Sequence, residues 1–523
     1  MTAAAGSGAT APASAAPPPR GDARWWLPVV YPAAFPVGLV VLTWGEASVN
    51  VLEIIRPLLV ALLIAFGTSI VCNLLAGDRR FGGIATTALM VALVIDRYEA
   101  SLLLAAVAVV VIILARLPGA GAMRSLSIVN RGLALLSTIA FVTMLLAIAG
   151  RPGLVDNVTE AFLAPPGPAE RPMPPAGTPD IFVYLIDGYP GAEASAQAGA
   201  TFDATAFPDA LRERGFTVHD DSRTNYLITR LVIPSMLEGR HLDDIPALAK
   251  PFGPDQAVDA QRLRSVTEHA ASLAAIRAAG YDVMWVSSGF SHLDTRNVDR
   301  RIEAPGPSEL EVAILRQSFM GTIVQTIDPA FFSEAMRVRI RASYDAATAL
   351  AAEPHTRPRF VFVHVPAPHP PTVLKADGSA EDGSPDASVA SAIAGPESTE
   401  LRRQRTFEQV SAIDDLTIDG IDALQKAGDG SPVIVLFSDH GTDVGWDPNA
   451  PLASDLRERP SAFLATLTPG HPDLYREPTT PVNIMGTLTN AYLGTTVPHQ
   501  PDVTYAYDGS VLDLVPIETT PGD

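Results

Sequence analysis

Lysine is missing from the first 150 residues of this 523-residue chain, and cysteine is nearly missing throughout. The single Cys72 rules out a disulfide framework and a cysteine-built zinc site. It lies in an apolar segment, where a catalytic thiol is out of place. Positive charge is also scarce. Nine arginines against six acids give residues 1–150 a net charge of +3, so residues 151–523 carry −23 of the total of −20. No basic face is available for a phosphate backbone, which excludes nucleic acid as a partner.

The apolar residues are gathered at the N-terminal end. Residues 1–24 are rich in Ala, Pro, Gly and Ser and read as a disordered tail. Residues 25–150 read as a membrane domain of about five transmembrane helices, over 25–44, 57–75, 81–95, 100–115 and 132–149. The third and fourth stretches are near the short limit of roughly 17 residues and can also be read as one re-entrant pair. Several hydrophobic segments follow the first, so it is not a cleavable signal peptide. Arg20, Arg24, Arg79, Arg80, Arg116, Arg124 and Arg131 fall on one side, and Arg56, Arg97 and Arg151 on the other. That asymmetry places the N-terminus in the cytoplasm and, with five spans, the C-terminal domain outside: a multi-pass cell-membrane protein with an extracytoplasmic domain. Trp25, Trp26 and Trp44 suit interfacial anchors. A transporter fits badly, because the span centres hold few charges.

Residues 151–178 form a proline-rich, semi-rigid connector. Residues 179–515 then alternate buried-strand runs with helical patterns, as a doubly wound α/β sheet requires. Strands are expected over 181–186, 215–219, 281–286, 360–365, 432–438 and 462–467, and helices over 230–237, 262–279, 402–425 and 481–492. Residues 301–350 look mainly helical, and 375–399 form a polar, mobile excursion.

Chemistry-bearing residues stand where these strands end. Asp187 follows the run 181–186, and Asp439 and His440 follow 432–438. Open sheets bind ligands at that edge, although a strand-terminal Asp is also a common turn former. Thr229 precedes a short helix that closes at Gly239, which suits an N-cap as well as a nucleophile. Two carboxylates, an imidazole and a hydroxyl make a shell for one divalent metal, Zn²⁺ or Mn²⁺ with Mg²⁺ as a further candidate. Such an ion would acidify the Thr229 hydroxyl and neutralise a phosphoryl oxygen. Asn225 is placed to donate to a second phosphoryl oxygen. His369, held between prolines after a strand, is either an exposed loop histidine or a substrate-binding group.

These residues carry a resemblance over about 179–507. IDGYP, NYLIT, HVPAPHPP, SDHG, RERPSAFLA and PVNIMGTLTNAYLG occur in an order that resembles the alkaline phosphatase superfamily, in its sulfatase-like hydrolase/transferase branch. Together with the membrane domain, the chain resembles lipoteichoic acid synthases and phosphoethanolamine transferases. The resemblance implies an alkaline-phosphatase-like sheet domain with Asp187, Asp439 and His440 as metal ligands. Thr229 would be a nucleophile that also binds metal, and His369 a loop histidine facing substrate. Sulfatases place a cysteine or serine, converted to formylglycine, ten residues before the glycine of a Leu-x-Gly-Arg ending. Here Thr229 stands there, and Leu231-Val232-Ile233 replaces the following Pro-Ser-Arg. Phosphate esters are therefore expected rather than sulfate esters. The phosphoethanolamine-transferase signature around the nucleophile is also missing. No Asp-x-x-x-His spacing supplies a second metal, and His364, inside its strand, is read as structural. The implied function is a membrane-anchored, metal-dependent phosphoryl-group transferase or phosphodiesterase working through a threonine phospho-enzyme. Its expected partners are a membrane lipid, a phosphate-ester substrate and a surface glycan acceptor. The alternative is a catalytically silent domain that binds envelope polymer or partner proteins.

Overall fold

The computed structural model describes residues 27–46, 49–118, 124–149, 171–199, 202–248, 256–381, 398–427, 431–508 and 510–518. The expected tail 1–24, connector residues 151–170, and 382–397 of the polar excursion lie outside the described residues. The described residues fall into two compact units. One holds residues up to Leu39 and Leu58–Leu146, and the other holds Val40–Pro57 and the C-terminal sheet domain.

In the first unit the helices are apolar around much of their circumference, exposing Leu63, Leu74, Leu103 and Ile128. That is how helices look when their solvent is lipid. Among the described residues, four helical stretches are long and apolar enough to cross a membrane: Pro28–Gly45, Val51–Ala76, Tyr98–Ala115 and Ser127–Leu146. The helix Arg79–Val94 has 16 residues and buries Phe81, Ala85, Thr86 and Met90.

The second unit is built on a seven-stranded sheet. Its strands are β1 Ile181–Ile186, β2 Thr217–His219, β3 Asp282–Val286, β4 Arg300–Ile302, β5 Arg359–Val365, β6 Val433–Phe437 and β7 Leu464–Leu467, in the order β2-β7-β6-β1-β5-β3-β4. β1 is central because its run is apolar on both faces: every residue of IFVYLI is buried. It pairs in parallel with β5 and β6, so all three strands deliver their carboxyl ends to one edge. β7 is antiparallel to β6, and β2 to β7.

Period-two alternation sorts the side chains into two cores. Phe182, Tyr184 and Ile186 pack with Ile340, Tyr344, Phe407 and Ile413 of the helices Phe331–Ala352 and Thr399–Ala427. Ile181, Val183 and Leu185 pack with Ile233, Leu273 and Met485 of the helices Thr229–Glu238, Ala271–Ala278 and Pro481–Leu493. Helices thus cover both faces, giving the doubly wound architecture.

Three details depart from the reading of the sequence. The helical pattern over 262–279 is two helices, Gln256–Glu268 and Ala271–Ala278. The break is held by Glu238, which accepts from the Ala271 amide at 3.0 Å, and by Glu268, which accepts from Thr295 at 2.8 Å. Residues 301–350 hold three helices, Glu309–Arg316, Phe319–Ile327 and Phe331–Ala352. A hairpin of β8 Thr504–Asp508 and β9 Ser510–Ile517 forms a separate two-stranded sheet.

Candidate active site

The carboxyl ends of β1, β5 and β6 meet at one buried cluster. The Asp187 amide continues the ladder to Val365 at 3.0 Å, and Gly188 donates to Asp439 Oδ1 at 3.1 Å, which locks the two acidic turns together. The loop after β5 folds back so that the His369 amide donates to the Asp187 carbonyl at 2.8 Å. Gln409, buried on the long helix, fixes that loop: its Nε2 donates to Pro368, and its Oε1 accepts from Val373 and Leu374. Gly441 follows His440 where no side chain fits, since a Cβ there would lie 2.1 Å from the Glu458 carbonyl oxygen.

Thr229 is the first residue of its helix, with Ile228 at the cap position. Its hydroxyl is therefore not used as a cap. Oγ1 instead faces His440 Nε2 at 3.5 Å. His440 Nδ1 lies 2.9 Å from the Gly441 carbonyl, which assigns the ring proton to Nδ1 and leaves the Nε2 lone pair directed into the cluster. That nitrogen is 3.1 Å from Asp439 Oδ2 and 3.7 Å from Asp187 Oδ1.

Three groups complete the surroundings. His364 Nε2 lies 3.2 Å from Asp187 Oδ2. Asp443 faces His369 Nε2 at 3.8 Å with Oδ2, and Arg459 binds its Oδ1. Arg459 also donates to the Leu227 carbonyl at 2.8 Å and to His440 Nε2 at 3.0 Å, with its guanidinium carbon 4.9 Å above the Trp446 ring.

The field inside the cluster follows from this crowding. Burial pushes the Asp187 carboxyl up, but the imidazoles of His369, His364 and His440 outweigh it and hold the group well below the usual carboxylate range. Asp443 is likewise lowered, because Arg459, His369 and His440 overcome its burial. Burial, and then the Arg459 charge, lower His440, which favours the neutral ring that a metal needs. His369 moves the other way: burial lowers it, but Asp187 and Asp443 outweigh that and raise it.

The donors fit a divalent cation. One ligand atom each from Asp187, His369 and His440 lies within 4.8 Å of the others. Asp187 Oδ1, Asp439 Oδ2 and Asp443 Oδ2 are buried oxygens without a hydrogen bond. Buried acceptors left this way are costly, and three in one place are what an oxygen- and nitrogen-liganded ion satisfies.

Of the six residues singled out in the sequence, Asp187, Thr229, Asp439, His440 and His369 converge here, with His369 beside the ligand atoms rather than apart from them. Asn225 does not join them through its amide. Its Oδ1 accepts from Val482 at 2.8 Å and its Nδ2 donates to Val503 at 3.0 Å, stitching the loop before Thr229 to the C-terminal segment. Sequence reading took His364 as structural and passed over Asp443 and Arg459. Strand parity could have flagged His364, because it pairs with Leu185 and so shares a face with Asp187.

No family model matches the chain, and no curated protein matches it in sequence. Solved structures do. The soluble domain of lipooligosaccharide phosphoethanolamine transferase A from Neisseria meningitidis is 15% identical, with a TM-score of 0.39 over 61% of this chain and 89% of that one. The C-terminal periplasmic domain of EcEptC from Escherichia coli, in complex with Zn, is 13% identical, with a TM-score of 0.39 over 65% and 93%. A phosphonate monoester hydrolase of Agrobacterium radiobacter is 13% identical, with a TM-score of 0.41 over 63% and 80%.

Proposed function

We propose that this chain is a membrane-anchored, metal-dependent enzyme that transfers or hydrolyses a phosphate-ester group, with Thr229 as its nucleophile. The carrying observation is the Thr229 hydroxyl, 3.5 Å from His440 Nε2 at the lip of a buried cluster whose carboxylate oxygens lack partners. Asp187, Asp439, His440 and Thr229 would hold the ion, Mn²⁺ or Zn²⁺ with Mg²⁺ as a further candidate. When bound it supplies positive charge that acidifies the hydroxyl and offsets charge on the phosphoryl group.

The chain's own residues do the rest. Thr229 Oγ1 attacks phosphorus, forming a Thr229–phosphoryl ester as the bond to the leaving oxygen breaks and that oxygen takes up the proton given up by the Thr229 hydroxyl. The first-turn amides of the helix Thr229–Glu238 face the anion. His369 holds an oxygen of the substrate, and Arg459 adds fixed positive charge at the base of the site. In the second half-reaction an acceptor hydroxyl, or water, attacks the same phosphorus, and its proton passes to Thr229 Oγ1 as the ester bond breaks and frees Thr229. A lipid-linked donor and a surface glycan acceptor suit a site tethered to a membrane, and release to water shares the same first step. Phosphate is favoured over sulfate because threonine cannot give the formylglycine aldehyde that sulfatases use. The arginine asymmetry and five spans, with Arg79–Val94 as the short one, would place the sheet domain outside the cell.

Thr229→Ala in the full chain should abolish turnover of a chromogenic phosphodiester with Mn²⁺ while leaving fold and metal content intact. Undiminished activity sinks the assignment. Mass spectrometry of Thr229 after incubation with membrane lipids should show an adduct whose mass names the transferred group. A wild-type chain that keeps its metal but turns over neither substrate would favour the silent binding domain.

A further inference from the structure

Beyond the candidate site, the apolar side chains that remain in solvent are not scattered at random. Among the described residues of the sheet domain the most exposed large apolar side chain is Ile327, at 80%, and Ile323 is at 38%. Both belong to the helix Phe319–Ile327, FMGTIVQTI, which has no charged residue. They are four apart, so they share one face. The helix is held firmly to its neighbour Glu309–Arg316: a Cβ at Gly321 would lie 2.4 Å from the Leu315 carbonyl oxygen, so the two pack as one body.

That body is tied to the ends of two candidate spans. Gln317 accepts from the Thr43 hydroxyl at 3.2 Å, and Glu311 pairs with Arg56 through two N–H groups. Thr43 lies two residues before the end of Pro28–Gly45, and Arg56 lies in the first turns of Val51–Ala76. Residues Val40–Pro57 belong to the same compact unit as the sheet domain. If Pro28–Gly45 and Val51–Ala76 span a bilayer, the anchor points of Phe319–Ile327 lie at its surface.

We infer that Phe319–Ile327 is an interfacial helix, which buries Ile323 and Ile327 in the leaflet facing the sheet domain. The inference rests on the membrane-anchored reading above. Lipid, rather than a second copy or a soluble partner, is the occupant because the tethering contacts already place this face at the membrane boundary. Ile323 and Ile327 on one face supply the apolar side that a helix lying in the interface plane buries at the acyl-headgroup boundary.

The test uses the full chain with Cys72→Ala, reconstituted in phosphatidylcholine–phosphatidylglycerol vesicles. An environment-sensitive fluorophore is attached at Ile327→Cys, with reference labels at Leu63→Cys in a candidate span and Asp419→Cys on a solvent-facing helix. The Ile327→Cys emission should shift to the blue, and lipids carrying a nitroxide near the headgroup should quench it severalfold more than the Asp419→Cys label. If Ile327→Cys behaves like Asp419→Cys while Leu63→Cys is quenched, the interfacial helix is refuted and the membrane anchor stands. If Leu63→Cys is not quenched either, the anchor itself fails and takes this inference with it. Disulfide-linked dimers of the unlabelled Ile327→Cys chain, without lipid quenching of the labelled one, would assign the face to a second copy and overturn the inference.

Discussion

Asp187 has two carboxylate oxygens, and His364 decides which one is left over. Its Nε2 lies 3.2 Å from Oδ2, so Oδ1 is the oxygen without a partner. A second group that fixes a ligand in this way typically contributes a factor of ten to a hundred in metal affinity. His364→Ala should therefore weaken Mn²⁺ or Zn²⁺ binding by about 10–100-fold in calorimetric titration, with His364→Gln recovering part of the loss through its amide N–H. An unchanged affinity would leave His364 as packing only. Gly441 argues in a different way. A methyl group there collides with backbone at Glu458 rather than with a flexible side-chain end. Gly441→Ala should cost about 1–3 kcal/mol of stability by denaturant unfolding and displace His440. The sequence shows Asp187, Asp439 and His440 because each ends an apolar run, a purely local signal. It hides Arg459 and Asp443, whose pairing with His440 and His369 exists only through space.

At the scale of elements, the strands β1, β5 and β6 were legible because burial on both faces leaves an unbroken apolar run. β4, three residues with two arginines, has no such run, and β8 and β9 carry charge and proline. The interfacial helix offers a functional prediction at this scale. Paired Ile323→Asp and Ile327→Asp changes should lower turnover of a donor embedded in vesicles while leaving turnover of a soluble chromogenic phosphodiester intact. Equal loss on both substrates would place the defect in the site instead. A second element contact responds to pH. His292, on the short helical turn Ser291–Leu293, lies 2.9 Å from Glu309 at the start of Glu309–Arg316. Burial lowers its pKa, but Glu309 outweighs burial and, with Asp294 adding to it and Arg230 opposing, the imidazole is raised above its ordinary value. The folded state thus binds the proton more tightly than the unfolded chain. The stabilisation is fully present below the unfolded pKa of about 6.5 and fades as pH rises through the raised folded value. Glu309→Gln should therefore cost more stability at about pH 6 than at about pH 8.5.

For the whole molecule, the division into two compact units predicts that unfolding is not one transition. The helices of the first unit would draw their stability from lipid and from each other, whereas the sheet domain gathers three buried carboxylates, Asp187, Asp439 and Asp443, in one cluster, with Arg459 on Asp443. With no cation bound, the imidazoles and Arg459 offset the charge of Asp187 and Asp443, but one oxygen of each of the three carboxylates has no hydrogen-bond partner. A divalent ion that binds only the folded site shifts its equilibrium by mass action, by about 2.7 kcal/mol at a concentration a hundred times its Kd. Heating the full chain in detergent should therefore give two transitions, of which only the one belonging to the sheet domain rises when Mn²⁺ or Zn²⁺ is added and falls when it is chelated. Asp439→Asn removes one negative oxygen and should abolish most of the metal-dependent rise. A metal-dependent rise that survives Asp439→Asn unchanged would mean that the ion binds elsewhere. A rise in both transitions would mean that the ion acts on detergent or on charge in general rather than on this site.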